Sequence, residues 1–350
     1  MGSNNRLFGD RLELKNCYFV KTILMLLVVG YHSMVFWSGD WFTVISPANQ
    51  SDILVWLSKW LNSFHIYGFT LCSGYLFSYL IYENGSYTNY LDFVKGKARR
   101  LLIPYLFSCM IWVLPFAQYY NKFDMATVCN RYFLATNPNQ LWFLWMLFDV
   151  FVLIWPLVKF LQRDILSILI GAVSLGIGVV GEMLFPNIFC IWTAFTYIPF
   201  FIIGMKIRQK RDWFVRRIPI YMYIIIDCTL FVMWLYIANK SSSIMKILNF
   251  GIAFVLHVVG AVMIFFVLQK LAMVFEKWST SKLFEFVSKR SMSVYLFHQQ
   301  VIYVTICIFN GKLSPYIHAG INFAISLLVS LIVSSLLLRF KATRFLIGEK

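Results

Sequence analysis

The chain has 350 residues, of which 60% are hydrophobic and only 13% charged, and its mean hydropathy is +0.72. Soluble domains average about 45–50% apolar and about 25% charged residues, so this composition cannot cover a soluble surface. It also excludes disordered, collagen-like and coiled-coil chains. The formal charge of +16, from 31 Lys and Arg against 15 Asp and Glu, would suggest a nucleic-acid partner in a soluble protein. Here it belongs to the loops of a polytopic membrane protein, with no nucleic acid implied.

Ten apolar runs of 17–22 residues follow one another: Tyr18–Trp37, Phe64–Tyr82, Leu101–Tyr120, Leu141–Val158, Ile165–Gly181, Ile188–Met205, Pro219–Ala238, Leu248–Leu268, Ser291–Asn310 and Ile317–Leu338. A helix rises about 1.5 Å per residue and a bilayer core is about 30 Å thick, so each run is long enough to cross. The expected fold is all-α: a multi-pass membrane bundle of about ten helices. It forms one domain over residues 1–350, with no separate soluble domain. With a cytoplasmic N-terminus, 25 basic residues fall in inner segments and six (Lys59, Lys122, Arg131, Lys240, Lys246, Lys312) in outer ones. The positive-inside rule therefore places both termini in the cytoplasm. The first run is too long for a cleavable signal and lacks a small-residue cleavage site after Trp37. Residues 53–63 form an amphipathic stretch that lies on the outer interface or extends the second helix. The seven cysteines are scattered without CxxC spacing and read as buried apolar groups.

Ionisable groups at membrane depth are functional candidates by default. They are His32, His65, Asp149, Asp227, His257 and His298, with Glu182 at the outer end of the fifth run. Asp149, Asp227 and His257 also fit as hydrogen-bonded links between helices. No HxxxH or HExxH spacing occurs, so no metal is expected. His32 stands out through Lys21, ten intervening residues before it. Eleven positions are three helical turns, so both side chains share a face about 16 Å apart along the axis. A cation at the cytoplasmic mouth and an imidazole at depth suit a reaction that begins with an anionic cytosolic donor. A polysaccharide or lipid transporter, with Lys21, Asp149 and Asp227 along its path, is the alternative on the same topology.

The stretch KNCYFVKTILMLLVVGYHS (Lys15–Ser33) resembles the first span of the acyltransferase-3 family of bacterial membrane O-acyltransferases, whose motif is a basic residue, ten residues, then His. FHIYGFTLCSGYLF (Phe64–Phe77), KARRLLIPY (Lys97–Tyr105), LWFL (Leu141–Leu144), IPFFIIG (Ile198–Gly204) and SVYLFHQQVI (Ser293–Ile302) resemble later landmarks in order. The chain departs where many members carry Asp, at Tyr18, and has Lys97 where Arg is more common. The resemblance implies acyl transfer, usually of acetyl from cytosolic acetyl-CoA, to a hydroxyl of a cell-surface glycan or its lipid-linked precursor, in the bacterial cytoplasmic membrane. No permanently bound cofactor is implied. His32 and Lys21 would be the catalytic pair. Lys97, Arg99 and Arg100 would hold the CoA phosphates. His65, His298 and Trp142 would contact substrate. Trp37, Trp41, Trp56 and Trp60 fit either stacking on sugars or the ordinary aromatic belt.

Overall fold

The computed structural model describes residues 2–211, 213, 219–238, 240 and 242–349, and for residues 2–14 the backbone alone. Arg216, Arg217 and Lys350, counted above among the inner cations, lie outside the described residues, as do the side chains of Arg6 and Arg11. Among the described residues the secondary structure is entirely helical. The long helices are α1 (Gly2–Met34), α2 (Asp52–Ser78), α3 (Tyr90–Ser108), α4 (Trp142–Ile154), α5 (Asp164–Leu184), α6 (Ile191–Gln209), α7 (Ile220–Ala238), α8 (Ser243–Val274), α9 (Ser291–Phe309) and α10 (Pro315–Leu337). A π turn, Cys109–Val113, and a short helix, Leu114–Asn121, prolong α3.

Nine of these segments are long and apolar enough to cross a bilayer. The exception is α2, which carries Ser58, Lys59, Asn62, Ser63, His65, Thr70 and Ser73. Its place explains its polarity. It packs against α1, α6 and α8 at once, and Phe64, His65, Thr70, Leu71, Cys72 and Ser73 are buried. A helix that faces protein on most sides needs no all-round apolar surface. At 27 residues it is about 40 Å long, and the amphipathic stretch 53–63 is its first half. Ser51 opens it, accepting a hydrogen bond from the backbone N–H of Leu54. The outermost helices are α5, α7 and α10, whose exposed faces carry Ile165, Met183, Val232 and Leu328.

The tightest crossing joins α2 to α6. A Cβ added at Gly74 would lie 2.0 Å from the carbonyl oxygen of Phe201, and one at Gly204 would lie 2.0 Å from that of Leu71. Backbone meets backbone at both points, the arrangement small residues permit between membrane helices. Neither partner can yield by a rotamer change. Gly74→Ala and Gly204→Ala are each expected to destabilise the protein by about 2 kcal/mol. Thermal unfolding in detergent reads this as a lower midpoint; an unchanged midpoint would show that the crossing yields.

The connections sort into two ends. At one, Phe19 stacks on Phe284 with centroids 5.1 Å apart, Tyr82 donates to the carbonyl of Val158 (2.5 Å), and the Arg208 guanidinium pairs with Glu83 (Nε to Oε1 2.7 Å). At the other, Asn310 ties residues 46 and 48 (both 2.9 Å), the Phe42 and Tyr120 rings meet edge to face, and the N–H of Phe189 donates to the carbonyl of Leu134 (2.7 Å). The first end gathers the basic connections, the second the sparsely charged ones.

Lys97, Arg99 and Arg100, which precede the third apolar run, occupy the second and third turns of α3, which starts at Tyr90. Asn89 caps that helix, accepting from the N–H of Asp92 (3.2 Å).

Candidate active site

Lys21, Met25, Val28 and His32 fall at positions i, i+4, i+7 and i+11 of α1, which is one stripe of an α-helix. The stripe faces the bundle. Met25 and Val28 are each 1% exposed, and Lys21 and His32 are half-buried. The common face expected for Lys21 and His32 is therefore present. The space along it is not continuous: Met25 and Val28 pack between the two polar groups.

Beyond Met34 the chain makes a 3₁₀ turn, Val35–Ser38, which ends on Gly39 at φ +84°. That left-handed position suits glycine. It turns the chain back so that Trp41 comes to 5.4 Å from the His32 ring, centroid to centroid.

His32 Nδ1 lies 3.0 Å from the carbonyl of Val28 and 3.0 Å from Nε2 of His298. His298 Nδ1 lies 3.0 Å from the carbonyl of Val294 and 2.9 Å from that of Tyr295. Carbonyls only accept, so His298 carries its proton on Nδ1 and, as a neutral ring, presents Nε2 as an acceptor. His32 then donates from Nδ1, shared between Val28 and His298, and its own Nε2 is left as the lone-pair nitrogen. His65 follows the same rule, with Nδ1 2.6 Å from the carbonyl of Leu61. These tautomers are assigned from the hydrogen-bond pattern.

A chamber of about 460 Å³ opens beside His32, lined also by Tyr31, Trp41, His65, Trp142 and Tyr303. Asp40, Val44 and Asn121 stand exposed at its rim, at the weakly charged end of the bundle. Of the residues expected to contact substrate, His65 and Trp142 line this chamber. His298 does not; fully buried behind the His32 ring, it contacts the imidazole and not the chamber. Among the four outer tryptophans, only Trp41 reaches the chamber. Trp37 packs edge to face on His318, Trp60 donates to Asp227 (3.0 Å) and Trp56 is exposed.

Gln140 was not singled out from sequence. Its amide donates to the carbonyl of Leu296 (3.1 Å) and to Oε1 of Gln300 (2.8 Å), while Tyr295 donates to its backbone carbonyl. These bonds fasten the segment before α4 to α9 and so hold Trp142 at the chamber wall. Nothing in the spacing of Gln140 and Gln300 signals that they pair.

At the basic end, Lys21, Lys97 and Arg100 lie close enough to repel one another: Lys21 feels Arg100, and Lys97 feels both. The Lys97 ammonium sits 3.7 Å from the Phe151 ring centroid, with Tyr87 at 5.1 Å and Phe93 at 5.4 Å. Three rings thus surround the Lys97 nitrogen in cation–π range. Arg99 turns away and covers Phe345 (4.7 Å). The C-terminal segment rests on the same turns of α3, where Gly348 meets Pro104 and the backbone of Arg100. Burial raises the Glu349 carboxyl above its usual range, and the nearby Arg100 charge pulls the other way. So the structure brings Lys21, Lys97 and Arg100 together and leaves Arg99 out.

Of the other membrane-depth groups, Asp149 has a buried Oδ2 with no hydrogen-bond partner, while Asp227 and His257 are bonded. Asp227 accepts from Trp60, and His257 lies 2.8 Å from the carbonyl of Ser63 and stacks on Tyr67. A larger groove, about 1890 Å³, runs between α5 and α6 at the basic end. Among the described residues its lining holds neither His nor Cys, and Lys206, Arg208 and Lys210 there are paired with Asp164 or Glu83. Among the described residues no cluster of His, Cys, Asp and Glu is arranged to hold a metal ion.

A bundle of membrane-length helices with a histidine chamber at its core is the class of protein that these features define. The sequence model of the acyltransferase-3 family, described as an acyltransferase domain, matches residues 19–339. The chain belongs to that family and is a membrane acyltransferase. This membership sets aside the transporter reading. No curated protein and no solved structure matches the chain.

Proposed function

We propose that this acyltransferase moves an acetyl group from cytosolic acetyl-CoA to a hydroxyl of a cell-surface or exported glycan, or of its lipid-linked precursor. The basic end of the bundle then faces the cytoplasm of a bacterium, with both termini there, and the chamber opens outward across the cytoplasmic membrane. The observation that carries this reading is the position of His32. Its Nε2 lone pair belongs to a chamber at one end, while Lys21, on the same stripe of α1, belongs to a cation cluster at the other.

In this reading Lys21, Lys97 and Arg100 attract the CoA phosphates, whose charge-assisted bonds are stronger than neutral ones. The pantetheine arm passes Met25 and Val28, which part to admit it; Met is the more adaptable of the two. The sugar hydroxyl enters from the opposite end. His32 Nε2 takes the hydroxyl proton as the oxygen attacks the thioester carbonyl carbon. The C–S bond breaks, and the imidazolium returns the proton to the CoA sulfur. His298 accepts from Nδ1 throughout and keeps Nε2 as the base. General-base help of this kind is typically worth about 10²–10⁴-fold.

The test is transfer by the purified protein from acetyl-CoA to a glycan acceptor, followed as free CoA thiol and acetylated sugar together. Lys21→Gln and Arg100→Gln are expected to raise KM for acetyl-CoA about tenfold or more, with a smaller effect on kcat. An unaltered KM in both would remove the cation cluster from donor binding. Absence of any sugar acetylation would contradict the proposed acceptor.

A further inference from the structure

The six basic residues of the weakly charged end do not behave alike. Lys59, Lys122, Lys240, Lys246 and Lys312 are all exposed to solvent. Arg131, the one arginine among them, lines the His32 chamber and is half-buried. Its Nε is inaccessible and has no hydrogen-bond partner, and among the described residues its guanidinium enters no ion pair. Its guanidinium carbon lies 4.9 Å from the Phe123 ring centroid. A half-buried arginine whose Nε is inaccessible and unpartnered, with no carboxylate paired to it among the described residues, signals an anion from outside the chain.

The backbone under it is built. Asp124 caps a short helix by accepting from the N–H of Thr127 (2.9 Å), and the chain then opens into a π turn, Cys129–Phe133, that carries Arg131. Tyr105 donates to the carbonyl of Tyr132 and anchors the turn to α3. π turns inside helices recur at functional sites. Gln299 supplies a second orphan in the same chamber: its Oε1 is buried without a partner. A guanidinium donor and an amide acceptor, set beside Trp41 and Trp142, match a ring that bears both an anionic group and hydroxyls. Among the described residues the one carboxylate in the lining is Asp40, exposed at the rim.

We propose that the chamber selects an acceptor sugar carrying its own negative charge, a carboxylate or a phosphate ester, and that Arg131 binds that charge while His32 meets a nearby hydroxyl. The inference rests on the acyltransfer reading above and adds the class of acceptor to it. Arginine suits the task because its planar fork binds carboxylate and phosphate in two-point fashion.

Three probes test it on the full-length protein in lipid nanodiscs: a glucuronate-containing disaccharide, its carboxyl-reduced neutral twin, and that neutral twin bearing a phosphate monoester. Two quantities are read for each, acetyl transfer from radiolabelled acetyl-CoA and the shift in thermal unfolding midpoint. The native protein is expected to favour at least one anionic probe over the neutral twin by about tenfold or more in kcat/KM, with a matching selective stabilisation. Which anion wins assigns the source of the charge. Arg131→Gln is expected to bring the ratio to about one, and Arg131→Lys to keep part of it. Equal transfer to charged and neutral probes by the native protein would overturn the inference and leave the acyltransfer reading standing. So would a preference that survives Arg131→Gln. Stabilisation by anionic probes that Arg131→Gln abolishes, without transfer to any probe, would support the anion site and count against the acceptor reading instead. If Arg131→Gln does not fold, Arg131→Lys carries the comparison: an undiminished preference for both anions in geometry-sensitive kcat/KM would overturn the two-point role.

Discussion

Replacing His32 by Ala is expected to lower acetyl transfer by about 10³-fold or more at matched protein abundance, with little change in KM for acetyl-CoA. The size follows from removing the group proposed to take the hydroxyl proton, a contribution of about 10²–10⁴-fold. The sparing of KM follows from geometry, because Lys21, among the cations proposed to hold the donor, lies about 16 Å away along α1. His32→Gln separates proton transfer from space filling. It offers hydrogen bonding without basicity and is expected to be nearly as inactive. Acetylation of the surface glycan at the native level in His32→Ala cells would remove this imidazole from the chemistry.

The second large effect falls on His298, which lies outside the chamber. It accepts from His32 Nδ1 through Nε2, at 3.0 Å. A Gln at this position can place its carbonyl oxygen near the site of Nε2, whereas the shorter Asn places its oxygen near the site of Nδ1. His298→Gln is therefore expected to keep much of the native kcat, and His298→Asn and His298→Leu to lose about tenfold or more, each with KM for acetyl-CoA nearly unchanged. A packing role predicts a different order, since Leu would then serve at least as well as Gln in a fully buried position. Equal kcat in the Gln and Leu variants would contradict the positioning role. Hydrogen bonds that orient metal-bound histidines through their other ring nitrogen are comparable, and their loss costs about 10–100-fold.

The route into the site supplies a further expectation. Met25 and Val28 close the stripe between Lys21 and His32. Met25→Phe, a stiffer side chain, is expected to slow transfer several-fold while leaving the fold intact, and Met25→Ala to spare it. Stopped-flow release of CoA thiol checks this; unaltered rates in Met25→Phe would mean that the donor takes another path.

Much of this architecture is legible in the sequence for simple reasons. A bilayer sets the length of an apolar run, so the helices are visible without tertiary knowledge. Only α2 escapes the hydropathy test, because its central place removes the need for lipid-facing side chains. Helical periodicity likewise puts Lys21 and His32 on one face. What periodicity cannot say is which helix stands opposite. The His298–His32 contact, the Gln140–Gln300 pair and the Lys97–Phe151 contact each join residues more than fifty positions apart. The expected phosphate-binding trio is split for the same reason: Arg99 and Arg100 are neighbours in sequence, but successive residues on a helix point about 100° apart, and Arg99 finds Phe345. Arg131 was visible as the one outer arginine among lysines. Its burial was not, since it depends on a π turn that no local pattern announces.

The account stands on a donor that enters at the basic end past Met25 and Val28, and an acceptor in the chamber at the other end, meeting at one imidazole. Proteoliposomes with the protein in a known orientation test this directly. Radiolabelled acetyl-CoA is supplied at the basic end, and a glycan acceptor is sealed on the chamber side. The account predicts that native protein labels the enclosed acceptor and His32→Ala does not. Label confined to acceptor placed on the same side as acetyl-CoA, or equal labelling by the two proteins, would contradict it.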